Sequence, residues 1–499
     1  INNAVNNFIW GVPAMICIIG VGLYLSIRTN FLQIRKFSYA IRVTLGRMFR
    51  KRDASDGTMT PFQAVCTALA ATVGTGNIAG VAGAIAIGGP GSVFWMWISA
   101  ILGMCTKFSE VTLAVHFREV NEKGDLVGGP MYYIKNGLGK NWRWLATLFS
   151  VFGVLTVFGT GNATQVNTIT TAINSALMNY HLIDARSART TSLIIGIILA
   201  ALVALVLLGG IKRIGSVTEK LVPFMALFYI VLAVGVVLLN INRVPAVFSS
   251  IVYGAFNPAA VTGGVVGTFF MSMKKGVSRG IFSNEAGLGT GSIAHACADT
   301  KKPVKQGFFG IFEVFADTIV ICTLTGFIVA GGAIWENPNI DWSSIKYNKM
   351  ATFVASIREL TPGTALDSIV VIVVILAFGL FAFTTLCCDI TYSEIAAHKV
   401  SDKKGVIKAV RVAGAFVFVP LGTLTVLSGL QLDNLWAVSD LVNIVLVFVN
   451  VPTLFIGRKI IIAAYKDYKA HKGERFVSAR IGVKSDVWTE EEAKARAQE

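Results

Sequence analysis

One long apolar run, residues 62–103, is interrupted by a short polar and glycine-rich stretch at residues 72–77, TVGTGN. About 20 apolar residues are enough to cross a bilayer, so this run is long enough to enter one. A broken helix leaves backbone groups without partners, which a membrane tolerates only inside protein or around a water-filled cavity. The break also presents one positive and one negative half-helix end, which together suit a zwitterion and a cation. Close helix packing through Gly76-x-x-x-Gly80 is the structural alternative, and this stretch alone leaves both open.

The composition is that of a polytopic membrane protein. Of the 499 residues, 54% are hydrophobic and only 14% are charged, whereas about a quarter of the residues in a soluble domain are charged. The seven cysteines form no C-x-x-C pair and accompany no histidine-rich tract. We therefore expect neither disulfides nor a zinc site.

Apolar segments predict about eleven membrane crossings. Crossings 1 to 11 are, in order, residues 5–27, 62–88, 92–117, 144–172, 190–208, 218–240, 259–280, 304–332, 366–394, 407–429 and 434–457. Lysine and arginine are concentrated in alternate loops, which predicts an outside N-terminus and a cytoplasmic C-terminus. The net charge of +16 is therefore a topology signal, and we expect the lipid bilayer, not nucleic acid, as the partner of these basic residues.

A second irregular span indicates that the chain has two related halves. We predict that Gly263, Gly264 and Gly267, and then residues 271–276, interrupt crossing 7. Interrupted spans at corresponding positions of two five-crossing units indicate an inverted repeat with a transport site between the units. The predicted divisions are an extra helix with an interfacial helix, a first repeat, a second repeat and a cytoplasmic tail, at residues 1–60, 61–245, 246–460 and 461–499.

Two segments outside the crossings have patterns of their own. Residues 31–52 mix apolar residues with arginines, which predicts an amphipathic helix at the inner interface. The tail from residue 465 onwards is polar and charged. We expect that tail to be a solvated helix or disordered.

Polar residues inside the crossings are candidates for function because each is costly without a partner. Lys107 and Glu110 lie three residues apart on one helix face, and we expect them to pair. Gln165 is either an interhelical contact or a substrate contact, since its amide can donate and accept. Glu313 and Asp317 share a face of crossing 8, where one of them could hold a proton or lie beside a cation.

Thr384 and Thr385 in crossing 9 offer two hard oxygens to a small cation. Bonding of both hydroxyls to carbonyls of their own helix is the structural alternative. A Ser292–His295 dyad would suit a hydrolase, but no orienting acid is evident and the G-x-S-x-G motif is absent. A glycine-rich break could line a channel filter, yet one strong break in a single chain fits a carrier better.

Several blocks of sequence resemble a known family: GTGNIAGVA at residues 74–82, GGPGSVFWMW at 88–97, GGPMYYI at 128–134, RGIFSNEAG at 279–287 and FAFTT at 381–385. With them the chain resembles the alanine or glycine:cation symporter family, also called the sodium:alanine symporters, from crossing 1 to crossing 11. This family belongs to the amino acid–polyamine–organocation superfamily. The resemblance therefore implies an all-α polytopic fold with a leucine-transporter-like five-plus-five inverted repeat, here with one extra N-terminal helix. Crossings 2 and 7 would be its discontinuous helices.

The resemblance also implies where the ligands bind. Backbone N–H groups of residues 72–77 would hold the substrate carboxylate, and crossing 7 with Gln165 would receive its ammonium group. The candidate substrate-binding residues are Thr72, Thr75, Gly76, Asn77, Gln165, Phe270 and Asp389. Sodium (Na+), the co-transported ion, would be bound by the carbonyls of Ala70 and Val73 and the hydroxyls of Thr384 and Thr385.

Asp389 departs from the family pattern. Where the resemblance implies a Gly-Trp pair after the FTT stretch, this chain has Cys388 and Asp389. An aspartate in place of that tryptophan would make the pocket wall smaller and acidic, so a larger polar substrate such as glutamine is one alternative. Pairing of Asp389 with a lysine at the inner mouth is the other.

The sequence therefore predicts a sodium-coupled secondary symporter that imports small neutral amino acids, alanine or glycine, by alternating access. We expect a carrier and not an enzyme, located in a bacterial- or archaeal-type plasma membrane. We expect it to function as a monomer, although the sequence leaves the oligomeric state open. Proton coupling through Glu313 or Asp317 is the alternative within transport, and a channel is the alternative outside it.

Overall fold

A computed structural model describes residues 10–48, 58–122, 124–156, 162–179, 181–184, 186–258, 268–340, 342, 349–361, 363–400, 404–427 and 432–491. The described chain is almost entirely helical, so the predicted all-α fold is confirmed. Strands β1 (Glu119–Val120) and β2 (Leu126–Val127) form one short antiparallel hairpin.

The helices up to the loop before crossing 7 are α1 (Val12–Arg28), α2 (Leu32–Arg35), α3 (Phe37–Met48), α4 (Pro61–Thr72), α5 (Ala79–Gly88), α6 (Gly91–His116), α7 (Pro130–Gly137), α8 (Arg143–Thr156), α9 (Asn162–Asn179), α10 (Ser187–Leu207), α11 (Gly210–Leu239) and α12 (Val244–Gly254). Those that follow are α13 (Phe269–Asn284), α14 (Gly291–Ala296), α15 (Pro303–Val314), α16 (Thr323–Gly332), α17 (Lys349–Leu360), α18 (Thr364–Val400), α19 (Lys404–Ala413), α20 (Val419–Leu427), α21 (Leu432–Ile456) and α22 (Arg458–Ala470). Two π-helical segments, Phe315–Cys322 and Gly414–Phe418, join α15 to α16 and α19 to α20.

The described helices include six that are long and apolar enough to cross a membrane. Two bent pairs pass the same test together: Pro61–Thr72 with Thr75–Gly88, at an angle of 57°, and Asp440–Ile456 with Arg458–Ala470, at 58°. These spans make the chain a multi-pass membrane protein. The total of eleven crossings stays a prediction.

The first break lies where the sequence predicts it. Helix α4 begins with a capping box, in which the Thr60 hydroxyl accepts from the Gln63 N–H at 3.1 Å and the Gln63 side chain accepts from the Thr60 N–H at 3.0 Å. It ends at Val73, whose ψ of 90° is not helical. A single 3-10 turn, Thr75–Asn77, then leads into α5.

Residues 271–276, one part of the predicted second break, are helical. Helix α13 runs without interruption through residues 271–276, and Gly263, Gly264 and Gly267 lie outside the described residues. Gly276 serves close packing, because a Cβ there would lie 2.6 Å from the Cβ of Trp95. The helix instead breaks at residues 285–290, where three residues adopt positive φ angles: Glu285 (54°), Gly287 (106°) and Gly289 (86°).

Helix α6 is the central packing element of the part of the chain that the structure describes. It packs most extensively against α15 and α13. Small residues permit this approach: a Cβ on Gly280 would lie 2.5 Å from the Ser99 hydroxyl, and one on Gly307 would lie 2.6 Å from the Thr112 hydroxyl. Helix α6 therefore holds crossings 7 and 8 against one continuous surface.

Residues of the predicted interfacial helix are helical, as α2 and α3, and their position at the membrane interface stays a prediction. Helix α3 packs on α15, and the ring centroids of Tyr39 and Phe308 lie 5.0 Å apart. The Tyr39 hydroxyl also hydrogen-bonds to the Tyr468 hydroxyl of α22 at 2.6 Å. The N-terminal and C-terminal amphipathic helices thus contact each other.

The tail is not the solvated segment that its composition predicts. Trp488 is fully buried, its indole N–H donates to the Val115 carbonyl at 3.0 Å, and the Arg118 guanidinium lies 4.6 Å from its ring centroid. A backbone bond from the Phe476 N–H to the Lys301 carbonyl adds to the attachment, and one from the Ser478 N–H to the Trp488 carbonyl folds the tail on itself. The few apolar residues of the tail are too irregularly spaced to show periodicity, but Phe476, Val487 and Trp488 pack into the hydrophobic core.

We predict that Trp488→Ala releases the tail. The change removes the largest buried side chain of the segment together with its hydrogen bond to Val115, and such deletions in a core cost about 3–5 kcal/mol. Tryptic cleavage after Arg480 should become at least about tenfold faster in the purified protein. Trp144→Ala, at a tryptophan that is 61% exposed, should leave the rate unchanged; equal rates in the two variants would contradict the attachment.

Candidate substrate and cation site

A small cavity of about 50 Å³ lies where the two broken crossings meet. A volume of this size holds roughly three to five water molecules. The cavity is lined by Ala71, Thr72, Gly74, Gly76, Gly153, Thr156, Gln165, Phe282, Glu285, Leu288, Thr290, Thr385, Asp389, Tyr392 and Asn443. Both breaks, together with crossings 4, 9 and 11, therefore contribute to one central chamber.

Side chains hold the unwound backbone of crossing 2. The Gly74 N–H donates to the Asn77 side-chain oxygen at 2.9 Å, and the Thr75 N–H donates to the Gln165 side-chain oxygen at 3.3 Å. A Cβ on Gly74 would lie 2.7 Å from the Thr385 hydroxyl and 3.4 Å from the Gln165 amide nitrogen. Only glycine allows this approach, so the break lies directly against crossings 4 and 9.

An oxygen cluster adjoins the break on the side of crossing 9. The Thr385 hydroxyl lies 3.0 Å from the Ala70 carbonyl and 3.0 Å from the Phe381 carbonyl. The Thr384 hydroxyl lies 2.9 Å from the same Phe381 carbonyl, and it also contacts the Met225 sulfur at 3.5 Å. These are hard oxygens of the kind that small cations prefer.

The predicted ligands do not include the Phe381 carbonyl, and the prediction assigns Thr384 and Thr385 the same role. Thr384 bonds to carbonyls of its own helix, as the structural alternative had it, whereas Thr385 bridges to crossing 2. The Phe381 carbonyl could have been found, because it lies three and four residues before the two threonines on one helix. Val73, also proposed as a ligand, is buried at the non-helical end of α4.

Asn77 does not line the cavity. Its side-chain N–H donates to the Asp317 carboxylate at 2.6 Å, and the same carboxylate accepts from Ser283 at 2.8 Å and from Thr318 at 2.7 Å. These contacts direct the Asn77 side chain to Asp317, and a contact of Asn77 with the substrate stays a prediction. The fully buried Asp317 joins crossings 2, 7 and 8 through partners that are all neutral among the described residues.

Lys107 pairs with Glu313 and not with Glu110. Its ammonium lies 3.1 Å from the Glu313 carboxylate, which also contacts His295 at 2.9 Å, and His295 in turn contacts Gln306 at 2.9 Å. A Cβ on Gly291 would lie 2.6 Å from the Lys107 ammonium. This buried chain of polar groups therefore lies against the N-terminus of α14.

Glu110 was predicted to pair with Lys107, but it bonds to the second break instead. It accepts from the Gly287 N–H at 2.8 Å and from Asn450 at 2.7 Å, and Asn450 also donates to the Gly287 carbonyl at 2.9 Å. Both backbone groups of Gly287 in the second break are thereby satisfied. Ser292 donates to the Gly289 carbonyl at 2.6 Å, so the dyad that a hydrolase would need is not formed.

Phe270 is not a cavity residue. It is 65% exposed and stacks edge-on with Phe269 near the start of α13. The structure separates Phe270 from the cavity because a break lies at residues 285–290, about four turns further along the helix. Phe282 and Glu285, near that break, line the cavity instead.

Asp389 lies on the cavity wall together with Glu285. Glu285 accepts a hydrogen bond from the Thr290 hydroxyl at 2.6 Å. Among the described residues, no lysine forms an ion pair with Asp389. Thr72 and Gly76 also line the cavity. Thr75 does not line it, but its backbone N–H donates to Gln165, which does.

A solved structure shares this architecture. The crystal structure of MhsT in complex with L-phenylalanine superposes with a TM-score of 0.53 at 13% identity, covering 88% of this chain and 94% of that one. The likeness shows the fold, which is leucine-transporter-like. Two broken helices around a central cavity are an arrangement common among secondary transporters.

Sequence comparisons identify the family within this class. A family model described as the sodium:alanine symporter family matches residues 1–479. An uncharacterized transporter of Haemophilus influenzae is 41% identical over 93% of this chain and 95% of its own length. The sodium/alanine symporter AgcS of Methanococcus maripaludis is 35% identical (93% and 96%), and the probable sodium/glutamine symporter GlnT of Bacillus subtilis is 34% identical (94% and 90%). The chain therefore belongs to the sodium:alanine symporter family.

We predict that Glu313→Gln destabilises the fold because it leaves the Lys107 ammonium buried beside a neutral amide. Breaking a buried ion pair in this way costs about 3–5 kcal/mol, which should appear as a lower Tm in detergent. Replacing both partners, in Lys107→Met with Glu313→Leu, should recover most of the loss.

Glu119→Gln is the matched control, because its ion pair with Lys135 is about a third exposed and should contribute less than about 1 kcal/mol. Similar Tm shifts for Glu313→Gln and Glu119→Gln would show that the buried pair does not support the site.

Proposed function

We propose that this chain is a sodium-coupled symporter that imports a small neutral amino acid, alanine or glycine, by alternating access. The observation that carries the proposal is the position of Gly74, which lies beside both Gln165 and Thr385. The central cavity and the oxygen cluster therefore share one stretch of unwound backbone. Sodium bound on one side of this stretch would order the backbone and so favour binding of the amino acid on the other side, and the reverse would also hold.

Sodium would bind between crossings 2 and 9. Its ligands would be the carbonyls of Ala70, Val73 and Phe381 and the hydroxyls of Thr384 and Thr385. To ligate the ion, the Thr385 hydroxyl would turn its proton away from the Ala70 carbonyl, which it now contacts. The two oxygens would then face the cation together, as hard cations require.

The amino acid would lie across the cavity between the two breaks. Its carboxylate would meet the N–H end of the 3-10 turn near Gly76, where the half-helix is positive. Its ammonium would meet Glu285, which lies at the negative C-terminal end of α13 and lines the same cavity. The volume of about 50 Å³ favours a substrate with a short side chain.

Two features support alternatives. Asp389 on the cavity wall would suit a larger polar substrate such as glutamine, the substrate named for the GlnT relative. Asp317, buried among neutral partners, is the better candidate for proton coupling, because Glu313 is already paired with Lys107. A channel is the alternative outside transport, and it would not accumulate substrate against a gradient.

The transport cycle would use the two predicted repeats, residues 61–245 and 246–460, as opposed units around the site. Rocking of one helix bundle against the other would expose the cavity to each side in turn. We place the chain in a bacterial- or archaeal-type plasma membrane, as a functional monomer, with its N-terminus outside and its tail in the cytoplasm. The alternation of basic loops supports this orientation.

We predict that Thr385→Val raises the sodium concentration needed for half-maximal alanine uptake into proteoliposomes by at least about tenfold. Valine keeps the shape but removes the oxygen between Ala70 and Phe381, and a lost ligand to a charged group is worth roughly 1.5–3 kcal/mol. Thr391→Val is the matched control, since that hydroxyl bonds only to Cys387 of its own helix among the described contacts. The same sodium dependence in both variants would rule out the proposed ion site.

We predict that Asp389→Trp narrows the substrate range. The bulky ring would fill the wall position, so glutamine should compete with labelled glycine uptake at least about tenfold less well, while alanine competition should change by less than about threefold. Asp389→Asn keeps the size of the side chain and separates volume from charge. An unchanged competition profile in Asp389→Trp would show that this residue does not form the pocket wall.

A further inference from the structure

A second, larger cavity lies outside the transport site, between the N-terminal and C-terminal amphipathic helices. It has a volume of about 600 Å³ and opens between α3 and α22, with the inner part of α15 as its floor. The side chains that matter for its chemistry are Lys36, Tyr39, Tyr465, Tyr468, Lys469 and Lys472. Nothing in the proposed transport cycle uses this cavity.

The lining of this cavity is basic. It includes three lysines and, among the described residues, no carboxylate. The carboxylate of Asp467 on the same helix is directed to other partners, at 2.9 Å from His471 and 3.9 Å from Arg480. The positive charge of the cavity is therefore not neutralised from within, and an anion would be attracted to it.

One buried hydroxyl in the lining has no partner. Tyr465 is only 6% exposed, and its hydroxyl makes no hydrogen bond in the part of the chain that the structure describes. Buried polar groups are almost always satisfied, so this hydroxyl indicates a missing acceptor. The hydroxyls of Tyr39 and Tyr468, in contrast, bond to each other at 2.6 Å.

The predicted topology, with crossing 11 ending on the cytoplasmic side, puts this cavity at the level of the inner lipid headgroups. Helix α22 turns by 58° from the end of crossing 11, as a helix does when it leaves the bilayer core to lie along the surface. Apolar side chains near the cavity are exposed, including Ile34 (59%), Leu45 (42%), Phe455 (39%) and Ile456 (44%). Tyrosine and lysine are enriched at this depth, and the inner leaflet is negatively charged.

We propose that this cavity is a binding site for the phosphate headgroup of an anionic phospholipid of the inner leaflet. The phosphate is neutralised by Lys36, Lys469 and Lys472, and it accepts the hydrogen bond that the Tyr465 hydroxyl lacks. The acyl chains lie along the exposed apolar side chains of α2, α3 and the end of α21. The lipid thereby joins the two amphipathic helices that already meet through Tyr39 and Tyr468.

The test is native mass spectrometry of the purified full chain with added phosphatidylglycerol or phosphatidylcholine. We expect phosphatidylglycerol to be retained preferentially, and the triple variant Lys36→Gln, Lys469→Gln, Lys472→Gln to bind it at least about tenfold more weakly. The control removes the same charge outside the cavity, through Lys459→Gln, Lys466→Gln and Lys484→Gln, and should change binding by less than about twofold. Equal losses in the two triple variants, or equal retention of both lipids, would overturn the proposal.

Two further measurements test whether the phosphate belongs to a lipid or to a soluble molecule, and whether the Tyr465 hydroxyl contributes to binding. Inorganic phosphate and glycerol phosphate, at the same concentration as the lipid, should not displace phosphatidylglycerol; displacement by either would assign the site to a soluble phosphate. Tyr465→Phe should weaken lipid binding by about threefold or more. Its Tm in phosphatidylcholine should equal that of the unaltered chain, and a weakening that only follows a lower Tm would overturn the role of the hydroxyl.

Discussion

Backbone groups that leave helical geometry inside a membrane must find partners there, and the core of this protein is arranged to supply them. At the first break, Asn77 and Gln165 accept from the N–H groups of Gly74 and Thr75. At the second break, Glu110 and Asn450 satisfy both backbone groups of Gly287. Gln165 also lines the central cavity, so one polar contact that stabilises the first break also shapes the cavity wall.

The first break and the fold class could be predicted from the sequence because the signals are local. A polar, glycine-rich stretch inside an apolar run indicates an unwound helix directly, and the structure has its break at residues 73–78. The break at residues 285–290 was not predicted, and residues 271–276, which were predicted to interrupt crossing 7, are helical. Gly276 is a packing glycine, and that can be known only from the neighbouring helix.

The partners of buried charges could not be predicted because they come from distant parts of the chain. Lys107 has Glu110 nearby in sequence, yet the fold brings Glu313 to its ammonium at 3.1 Å. The position of Phe270 relative to the cavity depends on the break at residues 285–290, which was not predicted. Trp488 looked like part of a solvated tail, yet it is buried beneath Arg118. In each case the residue could be singled out from the sequence, but the groups around it could be known only from the tertiary structure.

The central claim is that sodium and the amino acid bind to opposite sides of the same unwound stretch. Equilibrium binding of labelled alanine to the purified chain, measured in sodium and in potassium, tests it most directly. We predict that sodium tightens alanine binding by at least about tenfold, and that alanine tightens sodium binding by the same factor, because such coupling is reciprocal. Alanine binding of equal affinity in sodium and in potassium would contradict the claim.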